Sequence, residues 1–147
     1  MISPSKLEYF FKFIRFLVFF KNPKLGFVGR KTRIFKKNKI SFGSHLNIGS
    51  YCNIDPRFCK SVKFGDRVSI RDYFLLTSYS SKGLPISGSL VVGNNVGFSE
   101  KCHIHLRGDI SLGNDVIVGP SCTFISENHR FASLDKPFRL QGIDRTG

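Results

Sequence analysis

The sequence predicts a parallel β-solenoid on three observations. A large apolar residue returns every six positions, glycine directly follows it at the start of each group of units, and the fifth position is mostly small or apolar. The first positions are Phe42, Ile48 and Ile54, then Phe64, Ile70 and Leu76, then Val92, Phe98 and Ile104, then Leu112, Val118 and Phe124. The glycines are Gly43, Gly65, Gly93 and Gly113, with Gly49 and Gly119 repeating the pattern. Leu46, Cys52, Val68, Val96, Cys102, Val116 and Cys122 fill fifth positions. Six residues make a short strand and a turn. Three units carry the chain around a triangle, and the next triangle stacks about 4.8 Å above it. First and fifth positions then point inward, and the corners need residues that tolerate positive φ, a role expected for Gly93, Asn94, Asn95, Gly113, Asn114 and Asp115.

Ahead of the repeat, residues 1–39 form a basic amphipathic helix and linker. From Leu7 to Phe20, 11 of 14 residues are apolar, and the exceptions Glu8, Lys12 and Arg15 share one narrow helical face. Tyr9, Phe10, Phe13, Phe16, Leu17 and Phe20 make a broad stripe beside it. The stretch is too short and too charged to span a bilayer, and its charges also exclude a secretory signal. Two readings remain open. The helix lies in a membrane interface, helped by Lys21, Lys24, Arg30, Lys31 and Arg33, or it packs against its own domain or a neighbouring subunit.

The chain of 147 residues carries 23 Lys+Arg against 10 Asp+Glu, a formal net charge of +13. Residues 1–40 hold 11 of those basic residues and a single acid, so the repeat itself is close to balanced and is not a nucleic-acid surface. Residues 40–147 form the second region, with loops expected at 77–89 and 130–143. Cys52, Cys102 and Cys122 read as inward core residues and Cys59 as outward. That pattern fits a reducing cytoplasm better than a disulfide framework. Three imidazoles do not converge in the repeat, so no metal site is expected.

The run Cys122 to Pro137, CTFISENHRFASLDKP, narrows the reading. It ends a coil in His129, followed by an aromatic residue and a proline-containing loop, and with the hexapeptide periodicity it resembles the hexapeptide-repeat acyltransferases. The likeness covers residues 40–143 and is closest to acetyl-CoA-dependent O-acetyltransferases of sugars and polysaccharides. It implies an all-β, left-handed parallel β-helix and a homotrimer with its active site between subunits. It also implies acetyl transfer from acetyl-CoA to a sugar or glycan hydroxyl in surface polysaccharide or glycolipid synthesis, and the basic apolar N-terminus would bring a cytoplasmic enzyme of this kind close to the inner membrane. Further coils are usual after FRLQGIDRTG in such enzymes, so the reading includes a C-terminal truncation. Alternatives are a transferase for a small soluble acceptor, such as an antibiotic or amino sugar, and a non-catalytic solenoid.

Within the repeat His129 takes the outward sixth position, where an imidazole can serve as general base at neutral pH; its other reading is an exposed surface histidine. Glu127 and Asn128 immediately precede it as candidate helpers or substrate contacts, with Asn128 expected to face the core or hold a turn. Arg139 and Gln141 are candidates for binding acceptor or phosphate, or for holding the loop. Ser99 and Lys101 stand where related sugar acetyltransferases place asparagines one coil earlier, a departure that bears on the acceptor. His103 and His105 read as solvated or packed residues bordering the groove.

Overall fold

The computed structural model describes residues 5–20, 25–79 and 88–144. Helix α1 (Lys6–Phe20) comes first. The chain then winds through β1 (Gly26–Val28), β2 (Arg33–Ile34) and β3 (Ile40–Phe42), and next through β4 (Leu46–Ile48), β5 (Asn53–Ile54) and β6 (Val62–Phe64). The third turn is β7 (Ser69–Ile70), β8 (Leu75–Ser78) and β9 (Leu90–Val92), and the fourth is β10 (Gly97–Phe98), β11 (His103–Leu106) and β12 (Ile110–Leu112). A fifth begins with β13 (Ile117–Val118) and β14 (Thr123–Ile125) before β15 (Asn128–His129) and β16 (Ile143–Asp144).

Every third strand pairs in parallel, which makes three faces: β1-β4-β7-β10-β13, β2-β5-β8-β11-β14 and β3-β6-β9-β12. The register is the one expected from the sixfold period. Phe42 opposes Phe64 and then Val92 and Leu112. Ile48 opposes Ile70, Phe98 and Val118, and Ile54 opposes Leu76, Ile104 and Phe124. An all-β parallel solenoid is therefore observed. The ladder begins before residue 40, because β1 and β2 pair with β4 and β5. Its interior is a column of stacked side chains, with Ile48, Ile54, Phe64, Ile70, Leu76, Phe98 and Ile104 essentially sealed from solvent.

The corners differ from expectation in an instructive way. Positive φ falls on His45, Tyr51, Arg67, Tyr73, Lys101 and Ser121 as well as Asn95 and Asp115, but not on Gly93, Asn94, Gly113 or Asn114. Gly43, Gly65 and Gly93 are needed for closeness. A Cβ on Gly65 would lie 2.4 Å from Asn94 Oδ1 and 2.6 Å from the Gly93 carbonyl oxygen of the next coil. That side-chain oxygen is held where it is because the Asp66 N–H donates to it at 2.8 Å. Above and below, the Asn94 N–H donates to Asn114 Oδ1 at 2.8 Å and the Ser44 N–H to Asp66 Oδ1 at 2.7 Å. The corner is thus a chain of charged and amide side chains satisfying the backbone donors of their neighbours.

Two assignments are corrected. Cys59, expected outward, is fully buried, and its neighbour Phe58 is exposed. The tight turn after Pro56, with the Cys59 N–H donating to the Pro56 carbonyl at 3.3 Å, shifts that corner by one residue. Asn128 is exposed because the chain leaves the spiral after β14, and β15 pairs antiparallel with β16. Strand β8 keeps Thr77 and Ser78 in the sheet, paired with His105 and Leu106. Residues 80–87 of the expected loop lie outside the described residues, as do Lys21 and Lys24.

Helix α1 caps the first coil. The Glu8 N–H donates to Ser5 Oγ at 3.3 Å at its start. Phe16 is completely buried against Phe42 and Phe20, and the Arg15 guanidinium donates to the Val28 carbonyl at 3.2 Å. Packing against its own domain is therefore realised on one face.

Three measurements follow. Gly65→Ala should destabilise by about 1–3 kcal/mol in urea melts, because the added carbon meets fixed backbone. Gly113→Ala has open space around it and should change stability by less than about 0.5 kcal/mol. Burial pushes the Cys52 thiol up to about 11 and raises those of Cys59 and Cys102. Iodoacetamide should therefore modify the half-buried Cys122 first in the folded protein, with the other three reacting only on unfolding, as read by mass spectrometry.

Candidate functional site

Two concave regions meet where the chain leaves the last coil. The first surrounds His129. Its residue pairs with Ile143, the Arg130 N–H donates to the Gly142 carbonyl at 3.1 Å, and the chain between forms a closed loop. His129 is exposed and lines a cavity of about 300 Å³ with Asn128, Arg130, Phe131 and Ala132. Gln141 holds this loop together. Its amide nitrogen donates to the carbonyls of Ser133 and Lys136, both at 2.7 Å, and its amide oxygen accepts the Ser133 N–H at 3.0 Å. Arg139 lies in the short 3-10 turn Phe138–Leu140 on the same loop and is exposed.

The second region is a cleft of about 480 Å³ on the outer side of the β8–β11 pair, lined by Leu75, Thr77, Tyr79, His103, His105, Arg107 and Glu127. Alternation along β11 sends Ile104 and Leu106 into the core and His103 and His105 outward. Coil stacking then sets Thr77 beside His105. The Thr77 hydroxyl oxygen lies 3.0 Å from His103 Nε2 and 3.2 Å from His105 Nδ1. A hydroxyl has one proton, so it can donate to only one of these nitrogens, and the other ring must donate to it. When both rings are neutral the three groups form a directed relay. His105 also stacks on Tyr79, with ring centroids 5.2 Å apart.

Burial, and secondarily the neighbouring His105, lowers the His103 pKa from its ordinary value of 6.5, which favours the neutral form of this ring. Arg107 closes the cleft floor. It is buried, ion-paired through Nε with Glu127, and donates from Nη1 to the Tyr79 carbonyl at 2.5 Å. Glu127 is therefore committed to Arg107 and lines this cleft, two residues before His129 in the chain.

Glu127, Asn128, His129, Arg139 and Gln141 all belong to the segment that leaves the spiral. Ser99 and Lys101 are elsewhere, at the corner between β10 and β11, where the Ser99 N–H donates to Val118 and the Lys101 N–H to Asp72. The structure does not bring that pair to the His129 loop through this chain's own coil. Thr77, Tyr79 and Arg107 escaped the sequence reading. The alternation His103, His105, Arg107 was the available signal, since it places all three on one side of an extended segment. Among the described residues, no group of three or more His, Cys, Asp or Glu side chains is placed to hold a metal ion. Among them also, no helix is long and apolar enough to cross a membrane.

A scan against protein-family models and searches of curated proteins and of solved structures found no match to this chain.

Depression of the His103 pKa has a measurable consequence. Folding disfavours its protonated form, so the stability from keeping it neutral is fully present above pH 6.5 and is lost as pH falls below that value toward the folded pKa. His103→Gln should therefore lose less stability than the parent between pH 7 and pH 5 in paired urea melts. NMR titration should place the His103 midpoint below 6.5.

Proposed function

We propose that this protein is an acetyl-CoA-dependent O-acetyltransferase acting on a sugar hydroxyl in surface polysaccharide or glycolipid synthesis. Its coils wind left-handed, it works as a homotrimer, and His129 is the general base. The observation that carries this reading is the inward ladder. It has the hexapeptide register, and it ends in a loop that leaves His129 exposed beside a cavity. Those are the features on which the resemblance to hexapeptide-repeat acyltransferases rests.

In the reaction His129 accepts the proton of the acceptor hydroxyl as its oxygen attacks the thioester carbonyl carbon. The tetrahedral oxyanion then collapses, the C–S bond breaks, and the departing coenzyme A thiolate takes the proton from the imidazolium. An acetyl ester and free coenzyme A result, and no acyl-enzyme is formed. Gln141 acts by holding the loop that carries His129. Glu127 and Arg107 fix the point at which that loop departs. Asn128 and Arg139 stand on it, positioned for contact with acceptor or donor.

One observation favours a second base. His103 Nε2 already lies 3.0 Å from a hydroxyl oxygen, that of Thr77, and burial favours its neutral form. Release of the coenzyme A thiol, followed with a thiol reagent and a glycan acceptor, separates the two. His129→Ala should lower kcat by about 10²–10⁴-fold with an unchanged circular dichroism spectrum. His103→Ala should retain kcat within about tenfold. The reverse ranking would move the base to His103, and parental activity in both variants would remove histidine base catalysis altogether.

A further inference from the structure

We propose that the outward face of α1 docks on an anionic phospholipid bilayer. The helix is apolar on two sides, and the solenoid uses only one of them. Phe16 and Phe20 pack inward on Phe42. On the opposite side Leu7, Phe10, Phe11, Ile14 and Val18 recur at helical spacing and are all exposed, Leu7 at 63% and Val18 at 68%. Rotation cannot hide them, because Arg15 is hydrogen-bonded to the Val28 carbonyl and Phe16 is locked in the core. A contiguous apolar strip of this kind on a surface marks an interaction site.

Charge identifies the occupant. Residues 1–40 carry 11 Lys+Arg and one acid, and that acid, Glu8, is engaged with Lys12 at 3.1 Å. At the edge of the strip a cavity of about 500 Å³ brings Leu7 and Phe11 together with Lys12, Arg15 and Arg30. Glu8, paired with Lys12, and Asp72, which accepts the Ser50 N–H at 2.7 Å, also border it, so three basic groups face two acids there. Apolar side chains beside guanidinium groups match the acyl boundary and the phosphate of a lipid. A second copy of this chain would bring two strongly basic ends face to face, which like-charge repulsion opposes. With 15 residues, about 22 Å long, the helix lies along an interface.

The test uses the full chain and no activity measurement, so its outcome is independent of the acetyl-transfer reading. Cosedimentation is measured with vesicles of phosphatidylcholine containing phosphatidylglycerol and with vesicles of phosphatidylcholine alone. The parent should bind the anionic vesicles at least about tenfold more tightly, and the paired substitution Phe11→Ser and Ile14→Ser should weaken that binding at least about tenfold. Both positions are exposed, so the variant should keep its melting curve. Arg30→Glu should weaken binding to the anionic vesicles and leave binding to neutral ones unchanged. The proposal is overturned if the parent does not sediment with anionic vesicles, if the paired variant binds like the parent, or if the face instead supports a dimer in sedimentation velocity without lipid binding.

Discussion

Close stacking of one backbone triangle on the next governs this structure. Parallel strands must lie about 4.8 Å apart on all three faces at once, so where a corner side chain of the next coil reaches back, nothing larger than a hydrogen atom fits after the inward apolar residue. Gly43, Gly65 and Gly93 meet that demand, each with a side-chain oxygen of the next coil less than an ordinary contact from where a Cβ would stand. Asp66, Asn94 and Asn114 supply those oxygens and satisfy backbone donors that the corner would otherwise leave unpaired. The turn's strained conformation is carried two residues after the glycine, by side chains as different as His45, Arg67, Asn95 and Asp115. Tertiary hydrogen bonding holds them there: the Arg67 N–H donates to Ser44, the Asn95 N–H to Asp66, and the Asp115 N–H to Asn94.

The same stacking builds the cleft. Side chains that point outward from adjacent coils form columns, so Thr77 and His105, separated by a long stretch of chain, become neighbours as soon as β8 and β11 pair. Backbone pairing on both sides of β11, with β8 below and β14 above, leaves its outward side chains little freedom of direction. The Thr77 hydroxyl between two imidazoles is therefore a preorganised arrangement, fixed by the ladder before any ligand arrives.

What could be read from the sequence follows from the same physics. An inward apolar position recurs at a fixed interval because the core is a column, and a column leaves a one-dimensional trace in the chain; the alignment of Ile54, Leu76, Ile104 and Phe124 was legible for that reason. Glycine was legible as a corner residue, but its reason was not, because closeness between coils is a three-dimensional relation whereas positive φ is a local one. Cys59 turns inward against expectation because the turn at Pro56 resets the inward position, and one residue of slip reverses the direction of a side chain. The exposure of His129 was read from an outward sixth position within the repeat, whereas the chain has already left the spiral there and β15 pairs with β16. The cleft was hidden because it joins Thr77, His103, His105 and Glu127 across coils, and the period reports stacking on the inside while saying nothing of what accumulates on the outside.

The ion pair of buried Arg107 and half-buried Glu127 ties these regions together. Such a pair is a poor source of net stability, since the desolvation of the charges offsets much of their attraction. Its value here is positional. Arg107 directly follows β11, Glu127 directly precedes β15, and the same guanidinium reaches the Tyr79 carbonyl at the end of β8. Three successive turns of the spiral are thereby pinned at the place where the chain abandons it. Above that point the loop bearing His129 is held by its own antiparallel pairing and by Gln141, and below it lie the two cleft imidazoles. A neutral residue in place of Glu127 would leave the buried Arg107 guanidinium without this counterion, and the departure of the loop would then rest on the hydrogen bonds from the Arg107 and Gly108 N–H groups to Ser126.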